Sequence, residues 1–336
     1  MKKILPLLLL SAIPFFTSCT SPENAISSDT YFKAGQEYAK IGNLANAKKN
    51  YLKAIETDPQ NDEAQYSLGV LYARSGELSM ALTHYKKAVE INPENINYLL
   101  GMGVLHGQMA NWSEAIDLLK KCATNFPDKP MIHYNLGLAL AGGGKPDQAI
   151  ESYKKALDMD PAFLLPYINL GALYLNLKEY KKSVALLQKA DSLSPNTEGV
   201  KLLLGTALLK NGNYALAEHE FDMVLSLNPK SGIGHYNKGI LLEKKEDQEN
   251  AVKSFFAAAD SQPDFAQPYN RVAYIYANKG EKLDKAISLA NKALELDKKH
   301  RPEYLDTLSW IYYQKGEYQN AEKYISQSLK EAPSGT

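Results

Sequence analysis

Apolar and small residues recur along this chain at helical spacing. Between Gln65 and Pro93, Leu68, Gly69 and Tyr72 stand at i, i+1 and i+4, and beyond Gly76 the set Ala81, Tyr85 and Ala88 follows at steps of four and three. Such spacing predicts two amphipathic helices rather than strands. Gly76 marks the end of the first, where a left-handed residue closes a helix without a Cβ clash. Asn92-Pro93 stops the second, because proline donates no backbone hydrogen bond and restricts the residue before it. The unit then repeats. Gly35, Gly69, Gly103, Gly137, Gly171, Gly205 and Gly239 lie 34 residues apart, and a run of small residues from Ala47 to Ala251 and a run of prolines from Pro59 to Pro263 keep the same step.

A 34-residue period with Gly, Ala and Pro at fixed offsets resembles the tetratricopeptide repeat, over about residues 28–333. The resemblance implies an all-α fold, a right-handed superhelical solenoid of about nine helix-turn-helix hairpins, with units starting near 28, 62, 96, 130, 164, 198, 232, 266 and 302 and a short tail at 334–336. One hairpin cannot bury its own apolar face, so stacking on neighbours supplies the core. In each unit the glycine lets the second helix approach the first, and the tyrosine at the Tyr85 offset is expected to fill the gap to the next unit. Much of the tyrosine content, 22 residues, is therefore architectural. The eighth unit departs from the pattern: Ala273 replaces the glycine, one extra residue falls between Gly280 and Ala286, and another near Lys298-Lys299-His300, where the proline is missing. The ninth returns to it and resembles the last repeat of many bacterial envelope tetratricopeptide proteins. Its final helix shows Gln319, Glu322, Lys323 and Lys330 outward, a polar face expected to cap the core.

The first residues read differently. Lys2-Lys3 precedes an apolar stretch from Ile4 to Phe16, too short to span a bilayer as a helix of ~20 residues. This is the layout of a secretory signal peptide, residues 1–18. Phe16-Thr17-Ser18-Cys19 resembles the bacterial lipobox, which implies that Cys19 carries the lipid and that residues 19–27 form a short tether. Thr20 after the cysteine points to the outer membrane, facing the periplasm.

Charge and chemistry narrow the function classes. Basic and acidic residues number 38 each and are mixed along the chain, so there is no one-sided basic field for nucleic acid. Two cysteines cannot make a disulfide framework, and Cys122 lies at the offset of the buried alanines Ala88 and Ala156. His133 and His235 occupy equivalent offsets in different units, too far apart to share a metal. Gly142-Gly143-Gly144-Lys145 lacks the Ser or Thr and the preceding strand of a phosphate loop and reads as a loosened helix end. No catalytic constellation is apparent. The expectation is a chain that is not an enzyme, with no cofactor, no metal and no small-molecule substrate.

The inner face of the first helices is the default binding surface in this family. One offset carries Tyr66, Tyr134 and Tyr236, and another ends on Tyr274 and Trp310. The resemblance implies that Asn135, Asn169 and Asn237 could pair with the backbone of an extended peptide, since an amide both donates and accepts. The lysine and arginine of a carboxylate clamp are missing from the first two offsets. The reading that follows is a membrane-anchored protein–protein interaction scaffold for a bacterial cell-envelope machine, of pilus, secretion, polysaccharide-export or cell-wall type. In layout it resembles the pilus-secretin assembly lipoproteins. The alternative is a chaperone-like holder of envelope polypeptides.

Overall fold

The computed structural model describes residues 26–332. The expected signal peptide, the Cys19 anchor, most of the tether and the tail lie outside the described residues. The chain divides into two compact units, residues 1–109 and 110–336. All described regular structure is helical.

In the first unit, α1 (Ser28–Lys40) and α2 (Leu44–Thr57) form one hairpin and α3 (Asp62–Arg74) and α4 (Leu78–Ile91) a second, followed by α5 (Ile96–Gln108). The second unit opens with α6 (Trp112–Asn125), so the two helices of the third repeat belong one to each unit. Six hairpins follow: α7 (Pro130–Gly142) with α8 (Pro146–Met159), α9 (Leu164–Asn176) with α10 (Tyr180–Leu193), and α11 (Glu198–Lys210) with α12 (Tyr214–Leu227). After them come α13 (Gly232–Lys244) with α14 (Gln248–Ser261), α15 (Ala266–Lys279) with α16 (Leu283–Leu296), and α17 (Arg301–Gln314) with α18 (Tyr318–Glu331).

Local chemistry sets these boundaries. Side chains of Ser27, Asn43, Asn61, Asn95, Ser231 and Asp247 accept from backbone N–H groups of the helices they precede. Each turn uses a left-handed residue. At the first, Gly42 N–H donates to the Ala39 carbonyl at 3.1 Å and Asn43 N–H to the Tyr38 carbonyl at 2.9 Å, which satisfies two carbonyls at the end of α1. Gly76, Gly144, Gly212, Gly280 and Gly316 do the same, while Ala110, Lys178 and Glu246 take a positive φ without being glycine.

Six of the crossings differ from the expectation in one respect. The Tyr85 ring lies over Gly69 of its own hairpin, 2.6 Å from where a glycine Cβ would be, rather than toward the next unit. Tyr51 on Gly35, Tyr153 on Gly137, Leu187 on Gly171, Phe221 on Gly205 and Phe255 on Gly239 repeat the contact. The missing Cβ is thus filled by a large side chain from the second helix. Beside it the small residues Ala81, Ala149, Ser183, Ala217 and Ala251 are wholly buried, and the Ser183 hydroxyl donates to the Gly171 carbonyl at 2.7 Å.

Neighbouring repeats are laced by polar groups at their loops. Within the first unit Asn92 and the Tyr98 hydroxyl both donate to Asp62. In the second unit Asn228 and Ser231 both donate to Glu198. The extra residue of the eighth turn puts Lys282 at φ 51°, directly before α16. Its second extra residue is absorbed around Asp297, whose carboxylate accepts from Lys299 N–H at 2.8 Å, His300 Nδ1 at 2.6 Å and the Tyr304 hydroxyl at 3.1 Å. The glycine run at 142–144 is not slack. Gly144 is the left-handed turn residue, and a Cβ on Gly142 would meet the Trp112 indole at 2.5 Å.

Candidate partner-binding surface

The residues expected to line the inner face sit on the first helices of their hairpins, and the structure sorts them into two groups. Tyr66, Tyr134 and Tyr236 are packed between helices. In the first unit Tyr66 stacks on Tyr85 at 5.2 Å and lies 4.8 Å from Tyr98. In the second, Tyr134 meets Phe163 at 5.2 Å and Tyr236 meets Phe265 at 5.0 Å. Burial raises the phenol pKa of all three, and for Tyr134 the Asn169 amide partly offsets it. These rings fill joints between successive repeats.

The asparagines are half-engaged. Asn135 donates to the Met131 carbonyl at 2.8 Å and Asn169 to the Leu165 carbonyl at 3.1 Å, each one turn back along its own helix. Asn169 also donates to the Tyr134 hydroxyl, and Asn237 to Thr206 Oγ1 at 3.4 Å. Their carbonyl oxygens are the groups left to meet a ligand's N–H. Arg271 stands at the same offset and pairs with Glu243, which burial pushes above the ordinary carboxylate range against the pull of the guanidinium. Asn270 takes the offset of the three tyrosines, and its Oδ1 is buried with no hydrogen-bond partner.

Tyr274 and Trp310 form the second group, exposed at 41% and 37%. They line a cleft of about 720 Å³ built by α15, α17 and α18. Trp310 Nε1 donates to Asn278 Oδ1 at 2.8 Å, which fixes the indole, and the ring stacks on Tyr313 at 5.5 Å. Tyr318 meets Tyr313 edge-on at 5.5 Å. Asp306 and Glu322 stand in the lining, which contains no lysine or arginine. Sequence reading missed Tyr313, Tyr318 and Leu329: the offsets of Tyr313 and Leu329 are half-buried or buried in earlier repeats, while that of Tyr318 is exposed at Leu44 and Tyr214 as well. The last helix is accordingly not the wholly polar cap expected of it: Tyr318 and Leu329 are 64% and 71% exposed beside its charged residues.

Other candidates resolve into structure. His133 Nε2 donates to the Pro127 carbonyl at 2.8 Å and His235 Nε2 to the Pro229 carbonyl at 2.9 Å, and the hydroxyls of Tyr167 and Tyr269 make the same link at the same offset. Cys122 is buried, and burial pushes its thiol pKa up, which disfavours the reactive thiolate. Among the described residues no group of three or more His, Cys, Asp or Glu could hold a metal ion, and no helix is long and apolar enough to cross a membrane.

Tetratricopeptide and TPR repeat profiles match in a nearly unbroken series: 35–76, 63–95, 98–129, 130–163, 166–197, 202–266, 266–300 and 302–334. The chain belongs to the tetratricopeptide repeat family, whose members mediate protein–protein interaction. TPR repeat-containing protein PA4667 of Pseudomonas aeruginosa is 31% identical over 98 residues, 29% of this chain and 16% of that protein. The BBSome complex member BBS4 homolog of Drosophila melanogaster is 26% identical over 156 residues, 46% of this chain and 32% of that protein. The chain thus spans a third or less of either relative. Among solved structures, the APC/C hetero-tetramer Cut9–Hcn1 matches with a TM-score of 0.57 and 16% identity, over 91% of this chain and 74% of that one. At that identity the likeness speaks for the fold alone.

Proposed function

We propose that this chain is a membrane-anchored scaffold that gathers protein components of a bacterial cell-envelope machine, held by a lipid on Cys19 at the outer membrane and facing the periplasm. The anchor rests on the sequence around Cys19 and on its place directly after an apolar leader. The binding role rests chiefly on one observation: Tyr274 and Trp310 are exposed and line a cleft of about 720 Å³, with Asp306 and Glu322, unpaired among the described residues, in its wall. Pockets of a few hundred cubic ångströms that combine apolar walls with a few placed polar groups are the usual form of a recognition site. The packing of Tyr66, Tyr134 and Tyr236 into joints favours a scaffold with defined partners over a chaperone-like holder. A holder needs a long, continuous apolar wall, and those rings are not free to provide it.

Crosslinking in living cells followed by mass spectrometry tests the reading. A scaffold returns one or two partners in stoichiometric yield, and a broad spread of unrelated polypeptides would overturn it in favour of the holder. Replacing Cys19 by Ser should release the protein from the membrane fraction. Unchanged fractionation removes the anchor from the proposal.

A further inference from the structure

The chain carries its own template for what binds at the α17–α18 face. One hairpin earlier, the equivalent face of α15 and α16 is covered by α17. Ala277 there is wholly buried and clusters with Leu308 and Ile311, while Leu294 packs in the group that contains Tyr304. The occupant of that face is therefore a helix presenting Tyr304, Leu308 and Ile311 at i, i+4 and i+7. Shifted on by one hairpin, the matching positions are Tyr313 and Leu329, exposed at 54% and 71%. The cleft lies along this face. Among the described residues Asp306 and Glu322, both in its wall, have no hydrogen bond or ion pair. The lysines nearby are engaged: Lys315 pairs with Asp284 and Glu317, and Lys323 lies over the Tyr324 ring.

We infer that this face takes an amphipathic helix of a partner protein, with an apolar i, i+4, i+7 stripe flanked by lysine or arginine. The apolar stripe would lie on Tyr313, Ile325 and Leu329 as α17 lies on the preceding hairpin, and the basic residues would meet Asp306 and Glu322. A second copy of this chain is the poorer occupant, because a two-fold contact sets the same acidic pair against itself. The inference rests on the scaffold reading and gives it a partner chemistry.

The test uses the full chain and two labelled synthetic peptides of the Arg301–Gln314 sequence. Both keep Tyr304, Leu308 and Ile311; one carries lysine at the polar positions, the other glutamate. By fluorescence anisotropy at low salt the lysine peptide should bind roughly ten-fold tighter than its acidic twin. Asp306→Asn with Glu322→Gln should close that gap, and Tyr313→Ser with Leu329→Ser should abolish binding of both. These side chains are exposed, so the circular dichroism of each variant should match the parent. Equal binding of the two peptides, or none of either, overturns the inference. So does self-association in the ultracentrifuge that Tyr313→Ser with Leu329→Ser removes. Peptide discrimination with no stoichiometric partner crosslinked in cells would support the inference and count against the scaffold reading alone.

Discussion

The seventh and eighth hairpins solve one packing problem with different residues. In the seventh, Gly239 leaves a gap that Phe255 fills, with the ring 2.5 Å from where a Cβ would stand. In the eighth, Ala273 occupies the glycine position and Ala290 the aromatic one, and both are wholly buried. A methyl is gained on the first helix and a ring is lost from the second. The ninth makes a third version, with Ser309 opposite Ile325, and there the added hydroxyl donates to the Ala321 carbonyl at 2.9 Å. The pair's joint volume is therefore not conserved: the eighth crossing holds much less side-chain bulk than the seventh, glycine is one solution among three, and the one polar atom placed there is hydrogen-bonded. In an interior packed at crystal-like density a single extra methylene must displace something, so glycine is required only where a large side chain lies over it. In the eighth hairpin neighbouring side chains share the space: Ala273 and Ala290 cluster with Tyr276 and with Leu308 and Ile311 of the next helix, as expected of an array in which a repeat answers mainly to its neighbours.

The strongest way to break this comparison is a double-mutant cycle across the seventh crossing. Phe255→Ala alone should cost about 3–5 kcal/mol and Gly239→Ala alone about 1–3 kcal/mol. Made together they recreate the Ala–Ala pair of the eighth hairpin, and the sum should fall short of additive by about 1 kcal/mol or more. Urea titration with hydrogen exchange resolved to α13 and α14 measures it, since a repeat array need not unfold in one step. Strict additivity would show that the two positions do not share a volume.

A second contrast concerns the offset where His133, Tyr167, His235 and Tyr269 tie to a proline carbonyl. Lys201 holds that place in the sixth hairpin and instead bridges Asp191 at 3.0 Å and Glu220 at 3.2 Å, with only 7% of its side chain exposed. Burial alone would lower its pKa, but the two carboxylates outweigh this and hold it above the ordinary lysine range. A raised folded-state pKa gives stability that is fully present below the unfolded value and is lost as pH rises through the folded one. Lys201→Met should cost about 2–3 kcal/mol near neutral pH, because two partly buried carboxylates lose their cation. Asp191→Asn with Glu220→Gln in the same chain should recover most of it.

How much of this was legible in the sequence depends on the range of the interaction. Helix ends were, because Gly76 and Asn92-Pro93 act on the backbone within a few residues. The small residues of the crossing were, because period alone aligns them. The direction of Tyr85 was not: spacing puts it on the inner side of its helix but cannot say whether it fills the gap at Gly69 or the next joint. Gly142 was read as slack because its counterpart Trp112 comes from the preceding helix, 30 positions earlier. The exposed patch at Tyr313, Tyr318 and Leu329 was hidden for the converse reason. The offsets of Tyr313 and Leu329 are half-buried or buried in earlier repeats, and only the structure shows how exposed the two side chains are here.

Asp297 gives a smaller effect with a distinctive pH signature. The seven preceding repeats carry proline in this loop, whereas here one carboxylate gathers the extra residue. Burial works against its charge, yet the hydrogen bonds from His300, Lys299 and Tyr304 hold its pKa at about 2. A depressed pKa gives stability that is present above the unfolded value and is lost as pH falls through the folded one. Thermal melts should therefore lose stability between about pH 4 and pH 2. Asp297→Asn should remove that component and cost roughly 1 kcal/mol at neutral pH. A variant that melts like the parent at both pH values would place the loop's stability elsewhere.

The smallest effect should come from the turns, and it has the opposite sign. Lys178 and Glu246 take φ values of 61° and 64°, where Gly144 and Gly212 stand in neighbouring hairpins at 72° and 82°. An L-residue in the left-handed region costs about 1–2 kcal/mol. Glycine removes that strain and loses part of the gain through a more flexible unfolded chain. Lys178→Gly and Glu246→Gly should each stabilise by about 0.5–1 kcal/mol, and Gly212→Lys should destabilise by a similar amount. The turn hydrogen bonds, such as Glu179 N–H to the Tyr174 carbonyl at 2.9 Å, are backbone only and survive either change. The shift in melting temperature should therefore report φ alone, and equal melting temperatures for Lys178→Gly and its parent would mean that these turns carry no conformational strain.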